Sequence, residues 1–251
     1  MKIWINILLV ISLVLFLSSC KKKSETEKSE EQTITEDTNN DIEDISANRE
    51  EISNPSVPSP TNFKNIAEAK GDLDGDEIQE LAVVYETQTK DELGHQRELH
   101  IFKKKAGNWE LLHKSVGPIL SSLAGGMMAD PFENITMENG AIVIHHFGGS
   151  REKWMYTHRF RFQNEDWYLI GATIEYSIVC EETSLYDYNV STGKVNFQHT
   201  KEACDNDGNQ KGKSKESKSN YSLKAKQLIK MDGFVPGNTE TKLSKDKTFY
   251  F

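Results

Sequence analysis

Ile135-Thr136-Met137-Glu138-Asn139-Gly140-Ala141-Ile142-Val143-Ile144 decides the fold class. Two short runs rich in β-branched and apolar residues flank Asn-Gly, a pair that tolerates the positive φ angles of a two-residue hairpin turn. The stretch therefore predicts an antiparallel hairpin, and the same pattern recurs outward from it. After Gly148-Gly149-Ser150, residues Trp154 to Phe162 alternate, with Tyr156, His158, Phe160 and Phe162 on one face and Thr157, Arg159 and Arg161 on the other. Gln163-Asn164-Glu165-Asp166 turns the chain into Trp167-Tyr168-Leu169-Ile170. On the other side, Leu81 to Tyr85 is almost continuously apolar and predicts a central strand. Leu99-His100-Ile101-Phe102 predicts another, and Ala106-Gly107-Asn108 turns into Trp109-Glu110-Leu111-Leu112. No long amphipathic helix is written into the chain. Val116 to Asp130, rich in Gly, Ser and Met, reads as a loop with a helical turn. Residues 205–220, dominated by Asp, Asn, Gly, Lys and Ser, read as a mobile surface loop. The fold expected is mainly β, a single domain of antiparallel sheets over residues 61–251.

The N-terminus is built differently. Met1-Lys2 precedes an apolar run from Ile3 to Phe16, shorter than the ~20 residues that span a bilayer, and then Leu17-Ser18-Ser19-Cys20. This arrangement resembles bacterial lipoprotein signal peptides. The resemblance implies removal of residues 1–19 and lipidation of Cys20, which anchors the mature chain to a membrane without spanning it. By the sorting pattern of enterobacterial lipoproteins, the lack of Asp after Cys20 points to the outer membrane rather than the inner. Residues 20–60 continue as an acidic linker with no aromatic residue, closed by Pro55, Pro58 and Pro60. Such a stretch buries too little apolar surface to offset its ordering entropy. As a coil its ends average roughly 35 Å apart, so it acts as a tether.

With Cys20 lipidated, Cys180 and Cys204 remain of the three cysteines. They lie symmetrically about Thr192 in the turn Ser191-Thr192-Gly193-Lys194. Folding the chain there brings them opposite each other, in a compartment that permits disulfides.

One constellation carries a mechanism: Asp72-Leu73-Asp74-Gly75-Asp76-Glu77-Ile78-Gln79-Glu80-Leu81. Carboxylates at alternate positions of a tight turn converge on one point, and hard oxygen donors at that density suit calcium. Asp72, Asp74, Asp76 and Glu80 supply side-chain oxygens and Ile78 a backbone carbonyl. The spacing shares the first half of the EF-hand pattern, without its closing Glu or long flanking helices. Gly71 to Asp76 followed by Glu80-Leu81-Ala82-Val83-Val84 resembles the FG-GAP, or integrin-α-like, aspartate-loop repeat. Glu77 stands where that family usually has glycine at a sharp bend, and Glu80 where it usually has Asp. The resemblance implies a structural calcium of weak affinity, about 10⁻⁴–10⁻³ M as in extracellular modules. It also implies four-stranded, blade-like units, one over residues 65–115 and a second over 133–175. Since only one aspartate loop is present, a partial propeller or a sandwich is expected rather than a closed ring.

The chain carries a formal net charge of −9, which argues against nucleic acid as a partner. His145 and His146 are adjacent on a strand and face opposite sides, so they do not chelate one ion together. No nucleophile–base set is evident, so no catalytic residue is assigned. The function expected is that of a membrane-anchored envelope lipoprotein with a non-enzymatic β domain that meets an envelope or extracellular macromolecule. An envelope hydrolase and an inhibitor or immunity lipoprotein are the alternatives.

Overall fold

The structure, a computed structural model, describes residues 56–205, 212–224 and 228–251. The expected signal peptide, Cys20 and nearly all of the linker lie outside the described residues. Among the described residues every regular element is a strand: β1 Lys64–Gly71, β2 Glu80–Asp91, β3 Gly94–Lys105, β4 Asn108–Val116, β5 Phe132–Glu138, β6 Ala141–Gly149, β7 Glu152–Gln163, β8 Asp166–Ile178, β9 Glu182–Asn189, β10 Lys194–Lys201, β11 Lys215–Ser222, β12 Glu240–Ser244 and β13 Lys247–Tyr250. Strands β1 to β4 form a four-stranded antiparallel meander, β5 to β11 a seven-stranded one, and β12–β13 a hairpin.

The opening hairpin forms as its turn chemistry dictates. Ile135 pairs with Ile144 and Glu138 with Ala141, while Asn139 and Gly140 take φ of 52° and 69°. The four-stranded unit expected over 65–115 is β1–β4. The second unit does contain four strands, β5–β8, but it does not stop there. The sheet runs on through β9, β10 and β11, so the architecture is sandwich-like, with two sheets over one core.

That core joins Ala82, Val84, Leu99 and Ile101 of the small sheet to Ile142, Ile144, Phe160, Leu169 and Ile174 of the large one. Strand β2 is buried on both faces, which is why its sequence does not alternate. Ala82 and Val84 face the large sheet. Leu81, Val83 and Tyr85 face outward with Phe102, under Val57, Phe63 and Trp109. A segment after β11 and the β12–β13 hairpin complete the core with Met231, Phe234, Phe249 and Phe251. Phe249 stacks on Tyr186 and meets Tyr188 edge-on.

The disulfide expected from the symmetry about Thr192 is present. Strands β9 and β10 pair from Asn189↔Lys194 to Glu182↔Lys201, and Cys180 and Cys204 are bonded with Cα atoms 5.3 Å apart. Closing a loop of this length stabilises by about 3.5 kcal/mol in the chain-entropy account.

Two local expectations need correction. Residues 215–220, read as part of a mobile loop, belong to β11, which pairs with β10 from Lys201↔Lys215 to Lys194↔Ser222. This edge strand is held by backbone pairing and leaves its side chains exposed, so composition gives no sign of it. Residues 206–211 of that stretch lie outside the described residues. The loop after β4 contains tight turns and no helical element. Phe162 shares the face of Phe160 as expected, since it pairs with core Trp167 as Phe160 pairs with Leu169, but it stands at the end of that face and is half-exposed.

Candidate functional site

The aspartate loop joins β1 to β2 and rests against the β5–β6 hairpin. Gly71 lies so near β5 that a Cβ there would come within 2.7 Å of the Met137 Cβ. The loop is organised first by its own carboxylates. Asp72 Oδ1 accepts hydrogen bonds from the backbone N–H groups of Gly75 (2.6 Å) and Asp74 (3.3 Å), and Oδ2 accepts one from Glu77 (3.0 Å). Asp76 Oδ1 accepts one from the Ile78 N–H at 2.9 Å. These bonds wrap the chain tightly enough that Gly75 and Glu77 both take left-handed φ, 80° and 66°. The backbone N–H groups of Gly75 and Glu77 hold Asp72 below the usual carboxylate pKa.

Glu80 closes the loop. It opens β2 on the face that Ala82 and Val84 continue into the core, and only 2 % of its surface is exposed. Its Oε2 accepts the Leu73 N–H at 2.8 Å, whereas the buried Oε1 accepts no hydrogen bond. One ligand oxygen each from Asp72, Asp74 and Glu80 lies within 4.8 Å of the others. Three of the five expected ligands are thus brought together. Asp76 sits beside them on the same cation, described next, and Ile78 contributes its N–H to the loop's internal bonding.

A group the sequence reading did not single out stands at the centre. Lys103, two residues beyond Ile101 on β3, places its ammonium 2.6 Å from Asp74 Oδ2, 2.6 Å from Asp76 Oδ2 and 3.5 Å from Glu80 Oε1. The strand register foretells this position: Leu81 pairs with Phe102, so the next residues outward on the two strands are Glu80 and Lys103. The hydrogen bond from Lys103, aided by the Ile78 N–H, lowers the pKa of Asp76. Hydrogen bonding to Asp74 and then Asp76 raises that of Lys103. The sequence signal was available, since a lysine at the end of an apolar strand is conspicuous, but its partner is visible only through the register.

Beside the loop, at the mouth of the inter-sheet core, lies a cleft of about 420 Å³. Leu73, Leu112, Phe162 and Trp167 supply apolar walls, and Asp74, Glu80, Lys103, His113, Glu165 and Asp166 supply charge. Most of that charge is already paired. Asp166 Oδ2 lies 2.5 Å from Lys230 Nζ, and His113 Nε2 lies 3.0 Å from Asp232 Oδ1. The Lys230 hydrogen bond and the Trp167 N–H hold Asp166 below its ordinary pKa.

A second polar cluster is buried at the far end of the sandwich. Arg97, with 1 % of its side chain exposed, donates to both oxygens of Asp130 (2.7 and 2.6 Å) and to Glu86 (3.1 Å). His146 accepts the Leu120 N–H on Nε2 at 3.2 Å, while its Nδ1 and both nitrogens of His158 have no hydrogen-bond partner. His145 faces the opposite side, with Nδ1 3.0 Å from Thr157 Oγ1. The adjacent histidines are therefore divided between two faces as expected. Compared with known proteins, the chain matches no protein-family model and no curated protein.

Proposed function

We propose that the chain is a lipid-anchored envelope lipoprotein whose β domain binds another macromolecule through the cleft beside the aspartate loop, without catalysing a reaction. The observation that carries this reading is the state of the cleft's charges. Asp74 and Asp166 each lie against a lysine ammonium, His113 lies 3.0 Å from Asp232, and Asp166 is pushed down in pKa. A general acid needs a carboxyl raised toward neutral pH, so this arrangement suits recognition better than proton transfer. The apolar walls next to it, with Phe162 and Leu112 half-exposed, provide the area that binding requires.

The lipoprotein reading rests on Leu17-Ser18-Ser19-Cys20, and the tether on the acidic residues that follow. The loop's donor set, all oxygen and convergent, fits a hard divalent cation. Asp72, Asp74 and Glu80 would hold calcium, and the ion would tie the end of β1 to the start of β2. Its role in this reading is structural.

A photo-crosslinking residue in place of Leu112, in cells carrying the Cys20-anchored chain, is expected to trap a discrete macromolecule. Phe162→Asp should weaken that adduct several-fold. The same yield from a crosslinker at Lys105, outside the cleft, would defeat the binding reading. Substrate turnover by the purified protein that is lost on changing cleft carboxylates would establish the envelope hydrolase instead.

A further inference from the structure

The aspartate loop already contains a cation. Lys103 makes two 2.6 Å contacts with Asp74 and Asp76 and faces Glu80, so it stands among the oxygens that a metal ion would take. A divalent ion drawing on Asp74 and Glu80 competes with the ammonium for the same carboxylates. A divalent ion bound to Asp74 and Glu80 would lie within a few ångströms of the ammonium, where like charges repel strongly even with partial screening. Glu80 shows that the ammonium is an incomplete partner. Its buried Oε1 lies 3.5 Å from Nζ and accepts no hydrogen bond, so one oxygen aimed into the cluster is left for another cation.

We infer that Lys103 is the resident cation of the aspartate loop and that calcium enters only by exchange with it. The inference rests on the calcium reading of the loop. Its physical content is that the lysine, rather than the carboxylates, sets the affinity. Four carboxylates and one ammonium leave the loop strongly negative but internally bonded, so the loop keeps its shape without metal. Calcium must break two charge-assisted hydrogen bonds before it gains its ligands. Exchange also changes the adjoining cleft. Lys103 lines it, so displacement gives the cleft a free ammonium in place of a neutralised one, while the loop behind becomes less negative. Calcium would thereby shift the charge that the cleft presents to a partner.

The test is calorimetric titration of the full chain, kept soluble in detergent at fixed ionic strength, with calcium chloride alone. Lys103→Met should tighten calcium binding by about tenfold or more, because it removes a unit charge a few ångströms from the ion. Lys103→Arg, which keeps the charge, should stay near the wild type. Lys104→Met changes net charge equally at a side chain that lies over Trp109, 5.2 Å from its ring centre, and should shift affinity less than about twofold. In the wild type, calcium should also move the side-chain nitrogen resonance of Lys103, a readout available if Lys103→Met does not fold. Equal affinities for wild type and Lys103→Met, or an unmoved Lys103 signal at saturation, would overturn the exchange while leaving the calcium site standing. Binding by Lys103→Met alone would support the competition and refute calcium in the native protein. No binding by either would refute both.

Discussion

Glu77 shows how much a single residue can disclose. In the aspartate-loop pattern that this segment resembles, its position usually belongs to glycine, and the structure gives it φ of 66°. A side chain there costs roughly 1 kcal/mol against glycine, because Cβ crowds the following carbonyl. Glu77→Gly keeps the N–H that Asp72 Oδ2 accepts, so the loop's bonding survives the change. The expected outcome is a gain of up to about 1 kcal/mol in urea unfolding. A loss would mean that the Glu77 side chain contributes more than its backbone strain costs. The Asp72, Asp74 and Glu80 convergence was legible for the same reason: it depends on local spacing. Lys103 was not, because it reaches the loop from a strand more than twenty residues away.

At the scale of elements, legibility follows locality as well. The Asn139-Gly140 hairpin and the Cys180–Cys204 bridge were readable because each is closed by one turn whose residues dictate its geometry. Strand β11 was not, since an edge strand with exposed side chains has no hydrophobic signature. The β12–β13 hairpin was missed for a different reason. Its two strands span five and four residues, and their buried members, Thr241 and Phe249, are too few to set up a period. Yet Phe249 is fully buried among Tyr186, Tyr188 and Phe251. Phe249→Ala should cost about 3–5 kcal/mol by denaturant unfolding, the range for emptying an aromatic site in a packed core. A cost below about 1 kcal/mol would show that the hairpin is an appendage to a core already closed by the two sheets.

For the molecule as a whole, the buried histidines set a pH limit. Burial, reinforced by Arg97, depresses the pKa of His146 to about 3. Burial, with His146 beside it, holds His158 well below its ordinary value. The charges of Arg97, Asp130 and, from the opposite face of the sheet, His145 act on His146, and that of Arg159 acts on His158; only Asp130 favours a proton. Both rings are therefore neutral in the folded protein and take up protons on unfolding below about pH 6.5. Their contribution is complete above the unfolded pKa and is lost progressively as pH falls below about 6.5. The slope is about 1.4 kcal/mol per pH unit for each histidine. The carboxylates with lowered pKa act nearer pH 4, so unfolding measured from about pH 6.5 to 5 isolates the histidines. His145 is also lowered by burial and adds a smaller share, so His158→Phe should reduce the slope in that window by about a third to a half, and a flat stability profile there would show that neither His146 nor His158 is buried as described. That the strands gather into one sheet of four and one of seven, rather than two matched blades, was not written in the sequence. Strand patterns specify which faces are apolar, but not where a meander ends.

The meander itself has a consequence for how the chain acquires its structure. From β1 to β4 and again from β5 to β11, the order of strands in space is their order along the chain. Each new strand meets its partner immediately, so pairing can keep pace with a chain delivered from its N-terminal end, and the closure entropy of long loops is avoided. The interior behaves otherwise. Ile142, Leu169 and Ile174 share a core with Phe249 and Phe251, far downstream. A chain emerging strand by strand would thus acquire its backbone order early and its dry interior late. Between those moments the inner face of the large sheet would be wet, sticky and dependent on a chaperone or on speed.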